Sequence, residues 1–411
     1  MKNRGFTTRI LHSDREQPIE YGSLHRPIHT SIAYGFERVE GLADVFQGKT
    51  PGFAYSRQVN PTCNALEDKI TLMEEGVASI VFSTGMAAIS TVMLSLLKAG
   101  DHLISSRFLF GNTTSFLNTL ENFGIEVSFV DATDAQAVAD AVQPNTRMVF
   151  TETIGNPCTQ IADMAAIGRL CKDKGLVYLI DSTLTTPWLF RPKSVGASLV
   201  VHSLSKAFGG HGDALGGSVT ETGVFDWSAY PNIHEHCKSG DPVKWGIQQI
   251  RKKGLRDTGA TLSPQAAHTL ALGVETLALR MERACDNAAR LAKAFAEHPM
   301  IDHVFHPSMP DHPQHERARE LFRGFGSLMS INIKSGVDCF EVINRLKLPV
   351  ISTNLGDNRT LVIPVAQTIY HEMGAEARKE LSITDNTVRI SVGIEDFADL
   401  HDEFIGALNA G

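Results

Sequence analysis

Val200-Val201-His202-Ser203-Leu204-Ser205-Lys206-Ala207-Phe208-Gly209-Gly210-His211-Gly212 is the stretch that decides how this chain is read. Its first residues, with Leu199, form an apolar β-branched run that predicts a short buried strand. Small hydroxyls, a lysine and glycines follow. Upstream, Leu176-Val177-Tyr178-Leu179-Ile180 predicts another buried strand, and this one ends in Asp181. Lys206 alone reads as a surface lysine in a glycine-rich turn, and Asp181 alone as a helix cap. Together, with Ser203 and Ser205 beside the lysine, they suit pyridoxal 5′-phosphate (PLP). The lysine amine forms a Schiff base, and the acid pairs with the protonated pyridine nitrogen so that the ring acts as an electron sink. The two serines donate hydrogen bonds to the phosphate.

Working outward, helix and strand alternate from about residue 60. The expected helices are Asn64 to Glu75, Ile89 to Leu97, Thr113 to Phe123, Ala135 to Val142 and Ala165 to Lys174. The expected strands are 79–82, 102–105, 127–130, 148–150, 176–180 and 199–201. Alternation at this spacing implies an α/β fold with a mainly parallel sheet covered on both faces. Sites in such sheets lie beyond the strand C-termini, and Ser83, Asn156, Asp181 and Lys206 all follow strands closely. The alternation lapses between about 222 and 260. A long amphipathic helix is expected from Ser263 to His298, then strands at 328–333, 360–363 and 387–392 and a closing helix from Phe397 to Leu408. The chain divides on this reading into an N-terminal arm (1–55), a large cofactor-binding domain (56–260) and a smaller C-terminal α/β domain with an antiparallel sheet (261–411).

At 411 residues the chain is long enough for two domains. A net charge of −8 argues against binding a nucleic-acid backbone. There is no apolar run of about 18 residues to span a membrane, and Met1 to Arg9 lacks the apolar core of a signal peptide. The six cysteines are scattered, with no C-x-x-C pair, which fits reduced thiols in a cytoplasm and no zinc site. His298, His303, His306, His312 and His315 crowd a proline-containing stretch, read as an exposed loop and not a metal site because no helical ligand pair is embedded in an apolar pattern.

Other residues join the expected cleft. Ser83-Thr84-Gly85-Met86 links a strand to a helix, where free backbone N–H groups and the helix dipole make a phosphate seat. Asn156, in Gly155-Asn156-Pro157, either bonds the PLP ring hydroxyl or simply makes an Asn-Pro turn. Tyr55 and Arg57 would share a face of an extended segment, as proton shuttle and phosphate clamp or as a packed tyrosine and a surface arginine. Arg389 alternates with apolar residues on a strand and requires a carboxylate, either Glu395 or, preferred here, that of a substrate.

These residues match a known pattern. Tyr-Ser-Arg with Asn-Pro-Thr at 55–62, Ser-Thr-Gly-Met-Ala-Ala at 83–88, Ala-Gly-Asp-His at 99–102, Asn-Pro at 156–157, Asp181, the Lys206 stretch and Arg-Ile-Ser-Val-Gly-Ile-Glu at 389–395 occur in combination. From about Leu24 to the C-terminus the chain resembles the PLP-dependent transsulfuration enzymes: cystathionine γ-synthase, O-acylhomoserine sulfhydrylase and methionine γ-lyase. The resemblance implies PLP fold type I, the aspartate-aminotransferase-like fold. It makes Lys206 the Schiff-base lysine and proton shuttle and Asp181 the partner of the pyridine nitrogen. Gly85, Met86, Ser203 and Ser205 become the phosphate seat, and Arg389, with Asn354, the substrate side. Tyr55 and Arg57 would reach the phosphate from a neighbouring subunit, making a dimer the minimum unit and a tetramer the expected assembly, with the N-terminal arm wrapping a partner. The chain departs from the family at Phe110, where a tyrosine usually stacks on the ring; phenylalanine stacks but has no hydroxyl, and looks like the O-succinylhomoserine branch. It departs again at Asn354-Leu355-Gly356-Asp357 and Ile363 to His371, on the substrate side, whereas 209–212, 225–228 and 256–259 look like O-acetylhomoserine sulfhydrylases. The implied activity is γ-replacement on an O-acylhomoserine by sulfide or a thiol. The alternatives are γ-elimination from methionine or another γ-substituted amino acid such as canavanine, and a non-catalytic scaffold, against which intact Lys206 and Asp181 argue.

Overall fold

The computed structural model describes residues 4–16 and 18–410. Met1–Asn3, part of the expected arm and of the stretch read for a signal peptide, lie outside the described residues. Seven strands form the larger sheet: β1 (Ala78–Phe82), β2 (His102–Ser106), β3 (Glu126–Val130), β4 (Thr146–Glu152), β5 (Val177–Asp181), β6 (Leu199–Ser203) and β7 (Gly217–Glu221), in the order β1-β7-β6-β5-β4-β2-β3. From β6 to β3 all neighbours are parallel, while β7 runs antiparallel to both β1 and β6.

The apolar runs are continuous because both sheet faces are covered. Leu179, Leu199, Val201 and Phe150 face the helix Gly85–Leu96 through Ile89, Val92 and Met93. On the other face Tyr178, Ile180 and Val200 meet Ile167 and Cys171 of the helix Met164–Lys174. That helix is capped by Asp163, which accepts from Ala166 N, and ends at Gly175 with φ +66°. The helix expected at Asn64 begins earlier, at Pro61. Asn60 is its N-cap, accepting from Thr62 N at 2.9 Å, and proline fits the first helical position. The helix expected from Ile89 likewise starts at Gly85, behind an N-cap Thr84 that accepts from Ala87 N.

The single helix expected over 263–298 is three pieces: Pro264–Gly273, a 3-10 turn Val274–Thr276 and Leu277–Ala296. The break falls at Thr276, which leaves helical dihedrals at φ −106°, ψ 8°. Gly273, just before it, lets the helix pass close to the Lys206 turn, since a Cβ there would lie 2.5 Å from Gly209 O. Leu277–Ala296 then carries Leu291, Ala292 and Phe295 into the core of the second sheet. That sheet comprises β8 (Ile301–Phe305), β9 (Leu328–Ile333), β10 (Val350–Ile351), β11 (Leu361–Pro364) and β12 (Thr387–Ser391), ordered β10-β11-β12-β9-β8. It is antiparallel except for β10 with β11.

The 298–315 histidines are not an exposed loop. His306 is fully buried, with Nδ1 2.6 Å from Ser308 Oγ, and His312 Nε2 lies 3.3 Å from Thr159 Oγ1. Burial pulls both imidazoles down to about 4, so they pack as neutral rings. Among the described residues no helix is long and apolar enough to cross a membrane.

β7 has no counterpart in the expected strands, because Gly217-Ser218-Val219-Thr220-Glu221 is too polar and starts with glycine. The glycine is required: a Cβ at 217 would stand 2.1 Å from Thr84 O, in the turn that opens the helix Gly85–Leu96. Gly217→Ala is expected to push that turn outward, at a cost of about 1–3 kcal/mol or more. A lower melting temperature together with weaker PLP retention on dialysis checks this; an unchanged melting curve contradicts it.

Candidate functional site

β4, β5 and β6 deliver their C-terminal ends, Glu152, Asp181 and Ser203, to one cleft of ≈ 460 Å³, which residues following β1 and β2 also line. Gly85, Met86, Phe110, Asn156, Asp181, Ser203, Ser205, Lys206, Asn354 and Arg389 all line it. The first two N–H groups of the helix Gly85–Leu96 have no intrahelical acceptor, and Gly85 packs so tightly that a Cβ would lie 2.8 Å from Ser203 Cβ. Ser203 N is held by Thr183 Oγ1 at 2.8 Å. The Ser205 hydroxyl is engaged with Gly216, accepting from its N at 2.9 Å and donating to its O at 3.3 Å.

Asp181 closes β5. Its Oδ1 accepts from Thr183 N at 2.9 Å, and burial raises its carboxyl above the ordinary range. Beside it in register on β4 stands Glu152, also in the cleft. Burial first, then the Asp181 charge, drives the Glu152 carboxyl well above its usual range. Two adjacent buried acids cannot both ionise cheaply, and Glu152 is the one that keeps its proton. Its Oε1 accepts from Phe110 N at 2.8 Å, which ties the ring expected to stack on the cofactor to the strand end.

Lys206 Nζ lies across the cleft and donates to Asn354 Oδ1 at 2.7 Å. Burial, then the nearby Arg389 charge, brings its ammonium down to about 8. Arg389, at the middle of β12, is 2% exposed. Its guanidinium donates to Thr353 O at 2.8 Å, Asn354 O at 3.0 Å and Asn156 Oδ1 at 3.4 Å. Among the described residues it has no carboxylate. Glu395, the internal alternative, instead accepts from Thr360 N at 2.6 Å and Thr360 Oγ1 at 2.9 Å. Asn156 thus turns its amide oxygen to Arg389, and the peptide bond to Pro157 is cis.

Tyr55 and Arg57 are not in this cleft. The segment is a turn, not extended, with Gln58 N donating to Tyr55 O at 3.0 Å. Arg57 stacks over the Tyr55 ring at 5.4 Å and donates to Arg256 O, at the surface.

Three functional candidates escaped the sequence reading. Glu152 carried the same signal as Asp181, an acid closing an apolar run. Tyr370 fills the cleft wall, its hydroxyl donating to Leu109 O at 3.3 Å and to Asn156 O. Arg280 holds the turn after Lys206, donating to Ala207 O and Gly273 O at 2.6 Å and to Phe208 O at 2.9 Å. Gly210, at φ +74°, makes room for it, since a Cβ would sit 2.1 Å from Arg280 Nη1.

This donor set fits PLP: an amine of lowered basicity, an acid across from it, and free helix-terminal N–H groups beside a serine hydroxyl. If Glu152 is neutral, Glu152→Gln should keep cofactor affinity near that of the parent, whereas Glu152→Ala, which frees Phe110 N, should weaken it about tenfold, the loss expected for an orphaned buried donor. Equilibrium dialysis of PLP against both variants measures this.

The comparisons with known proteins agree with this geometry. The family model described as Cys/Met metabolism PLP-dependent enzyme matches residues 7–409. An L-methionine gamma-lyase of Fusobacterium nucleatum subsp. polymorphum is 35% identical, with 97% of this chain and 96% of that protein covered. An O-acetyl-L-homoserine sulfhydrylase of Corynebacterium glutamicum is 34% identical, covering 99% and 97%. A crystal structure of a putative O-acetylhomoserine (thiol)-lyase from Campylobacter jejuni, which carries N′-pyridoxyl-lysine-5′-monophosphate, superposes with a TM-score of 0.92 at 30% identity, over 99% of this chain and 100% of that one. The fold is PLP fold type I, and the chain belongs to the PLP-dependent enzymes of cysteine and methionine metabolism.

Proposed function

We propose that the protein catalyses γ-replacement on an O-acylhomoserine, with sulfide or a thiol as the incoming group. The observation that carries this reading is the spacing of a free buried guanidinium and a weakly basic amine around one residue: Asn354 accepts from Lys206 through its side chain and from Arg389 through its backbone. An α-amino acid presents a carboxylate to the first and an amine beside the second. Arg389 binds and orients that carboxylate, replacing three carbonyl dipoles with a full charge.

PLP, when bound, supplies an aldehyde for the substrate amine and a ring that spreads the electrons left at Cα. Lys206 Nζ, made less basic by burial, would take the proton from Cα, pass it to C4′ of the cofactor and so be free to take the next one from Cβ. Asp181 would pair with the pyridine nitrogen. Phe110 would lie against the ring without offering a proton. The phenol of Tyr370 is committed to two carbonyls. An acyloxy group departs as a stable carboxylate and needs no proton, whereas a thiolate leaving from methionine is far more basic. That difference favours an ester over methionine. The second reading, γ-elimination, rests on the methionine gamma-lyases among the relatives and on the unusual 354–371 stretch.

Tyr55 and Arg57 are assigned to a neighbouring subunit's cleft. Tyr21, Leu24, Val39 and Phe46, all largely exposed, give the N-terminal arm an apolar surface suited to wrapping that subunit.

Assays of O-acetyl- and O-succinylhomoserine with sulfide are expected to yield homocysteine from at least one ester; 2-oxobutanoate as the main product would establish the elimination reading. Lys206→Ala should abolish covalent cofactor attachment. In the apoprotein, the rate of attachment should rise with pH and level off above about 8, because the amine sheds its proton there. Arg389→Met removes a nearby positive charge and should move that midpoint upward. Mixing Lys206→Ala with Arg57→Ala subunits should restore activity that neither variant has alone; the absence of restoration would place Arg57 away from the partner's cleft.

A further inference from the structure

We propose that the γ-substituent this site accepts carries no negative charge, as in an acetyl ester or a thioether, and that a succinyl ester or any other substituent ending in a carboxylate is discriminated against. This rests on reading the cleft as the binding site of a γ-substituted α-amino acid.

The cleft has few charges to offer. Among the described residues lining the cleft, the cations are Lys206 and Arg389. Lys206 is required for the cofactor and Arg389 is the seat of the α-carboxylate. Arg57, the cation expected from a partner, is assigned to the phosphate. No third cation of the lining is left for a distal carboxylate. The acids of the cleft supply no partner either: Glu152 keeps its proton, and Asp181 is assigned to the pyridine nitrogen. The charge at the edge is negative: a Cβ on Gly212 would stand 2.8 Å from Asp357 Oδ2 and 3.7 Å from Asn354 Nδ2, so that carboxylate lies beside the residue that holds Lys206. Arg359 is already paired with Asp357 at 3.1 Å.

Part of the remaining wall is apolar, and the rest is uncharged. Leu215, Leu355 and Ile369 line the cleft, and Leu215 is 65% exposed at its mouth. An acetyl or methylthio group buries methyl surface against these side chains, while a succinyl carboxylate would leave water without a partner. Phe110 resembles the O-succinylhomoserine branch, but a phenyl ring contributes nothing to holding a carboxylate; the charges decide.

L-Norleucine and L-2-aminoadipate have side chains of equal length, ending in a methyl and a carboxylate. Each is titrated into the holoenzyme, with binding read from the cofactor absorbance. Norleucine is expected to bind about tenfold or more tightly, as an unpaired charge requires. Leu215→Arg, a change at an exposed position, should narrow the gap by improving aminoadipate binding. Equal or tighter binding of aminoadipate by the parent protein overturns the proposal, as does binding of neither, and a gap untouched by Leu215→Arg removes Leu215 from the discriminating wall and overturns that part. The same order is expected in kcat/KM, with O-acetylhomoserine above O-succinylhomoserine. Failure of both esters to react counts against γ-replacement, while the two unreactive amino acids still decide the matter of charge.

Discussion

A cation sealed inside a protein needs an anion, and Arg389 has none of its own. It is held among peptide carbonyls and one amide, with burial already weakening its hold on its proton to about 10. Dipoles compensate a buried charge only in part. The site is therefore incomplete as folded, and the ligand best able to complete it carries a carboxylate. Lys206 is in a similar state: half-buried, next to another positive charge and easily discharged. The usual demand for stability, that each buried charge meet its opposite, is relaxed at these two places and met elsewhere, as where Lys69 lies 3.0 Å from Asp14 and Arg251 2.7 Å from Glu67.

Keeping such groups in place depends on backbone packing that tolerates no side chains. Gly85 against Ser203, Gly217 against Thr84 and Gly356 against Ala207 N are contacts in which a Cβ would come within 2.8 Å, 2.1 Å and 2.5 Å of a neighbour. They bring the phosphate seat, the lysine turn and the substrate loop together as main chain. Arg280 then fixes the lysine turn from behind. The side chains that do chemistry are thus positioned by parts of the chain that do none.

Much of this was legible in the sequence, for identifiable reasons. The parallel strands are apolar on both faces, so their runs stand out, and Asp181 and Lys206 follow such runs directly. β7 was hidden because its register is dictated by close packing and not by periodicity. Glu152 was overlooked although it closes β4 as Asp181 closes β5; what distinguishes it, adjacency to a second acid, exists only once the strands pair. The buried histidines read as a loop because their partners, Thr159 and Gly326, lie far off in the chain. For Arg389 the sequence favoured a substrate but left Glu395 open as a partner, and the geometry gives Glu395 to Thr360 instead. Tyr55 and Arg57 stay outside the cleft of their own chain, which a single sequence has no means of displaying.

The helix Leu277–Ala296 joins these themes mechanically. Near its start Arg280 grips the carbonyls after Lys206, and near its end Phe295 is sunk into the core of the second sheet, whose strand β12 bears Arg389. One rod thus touches both the turn that carries the amine and the sheet that carries the guanidinium. Substitutions along its apolar stripe, well removed from any reacting atom, are therefore placed to alter the spacing of those two groups.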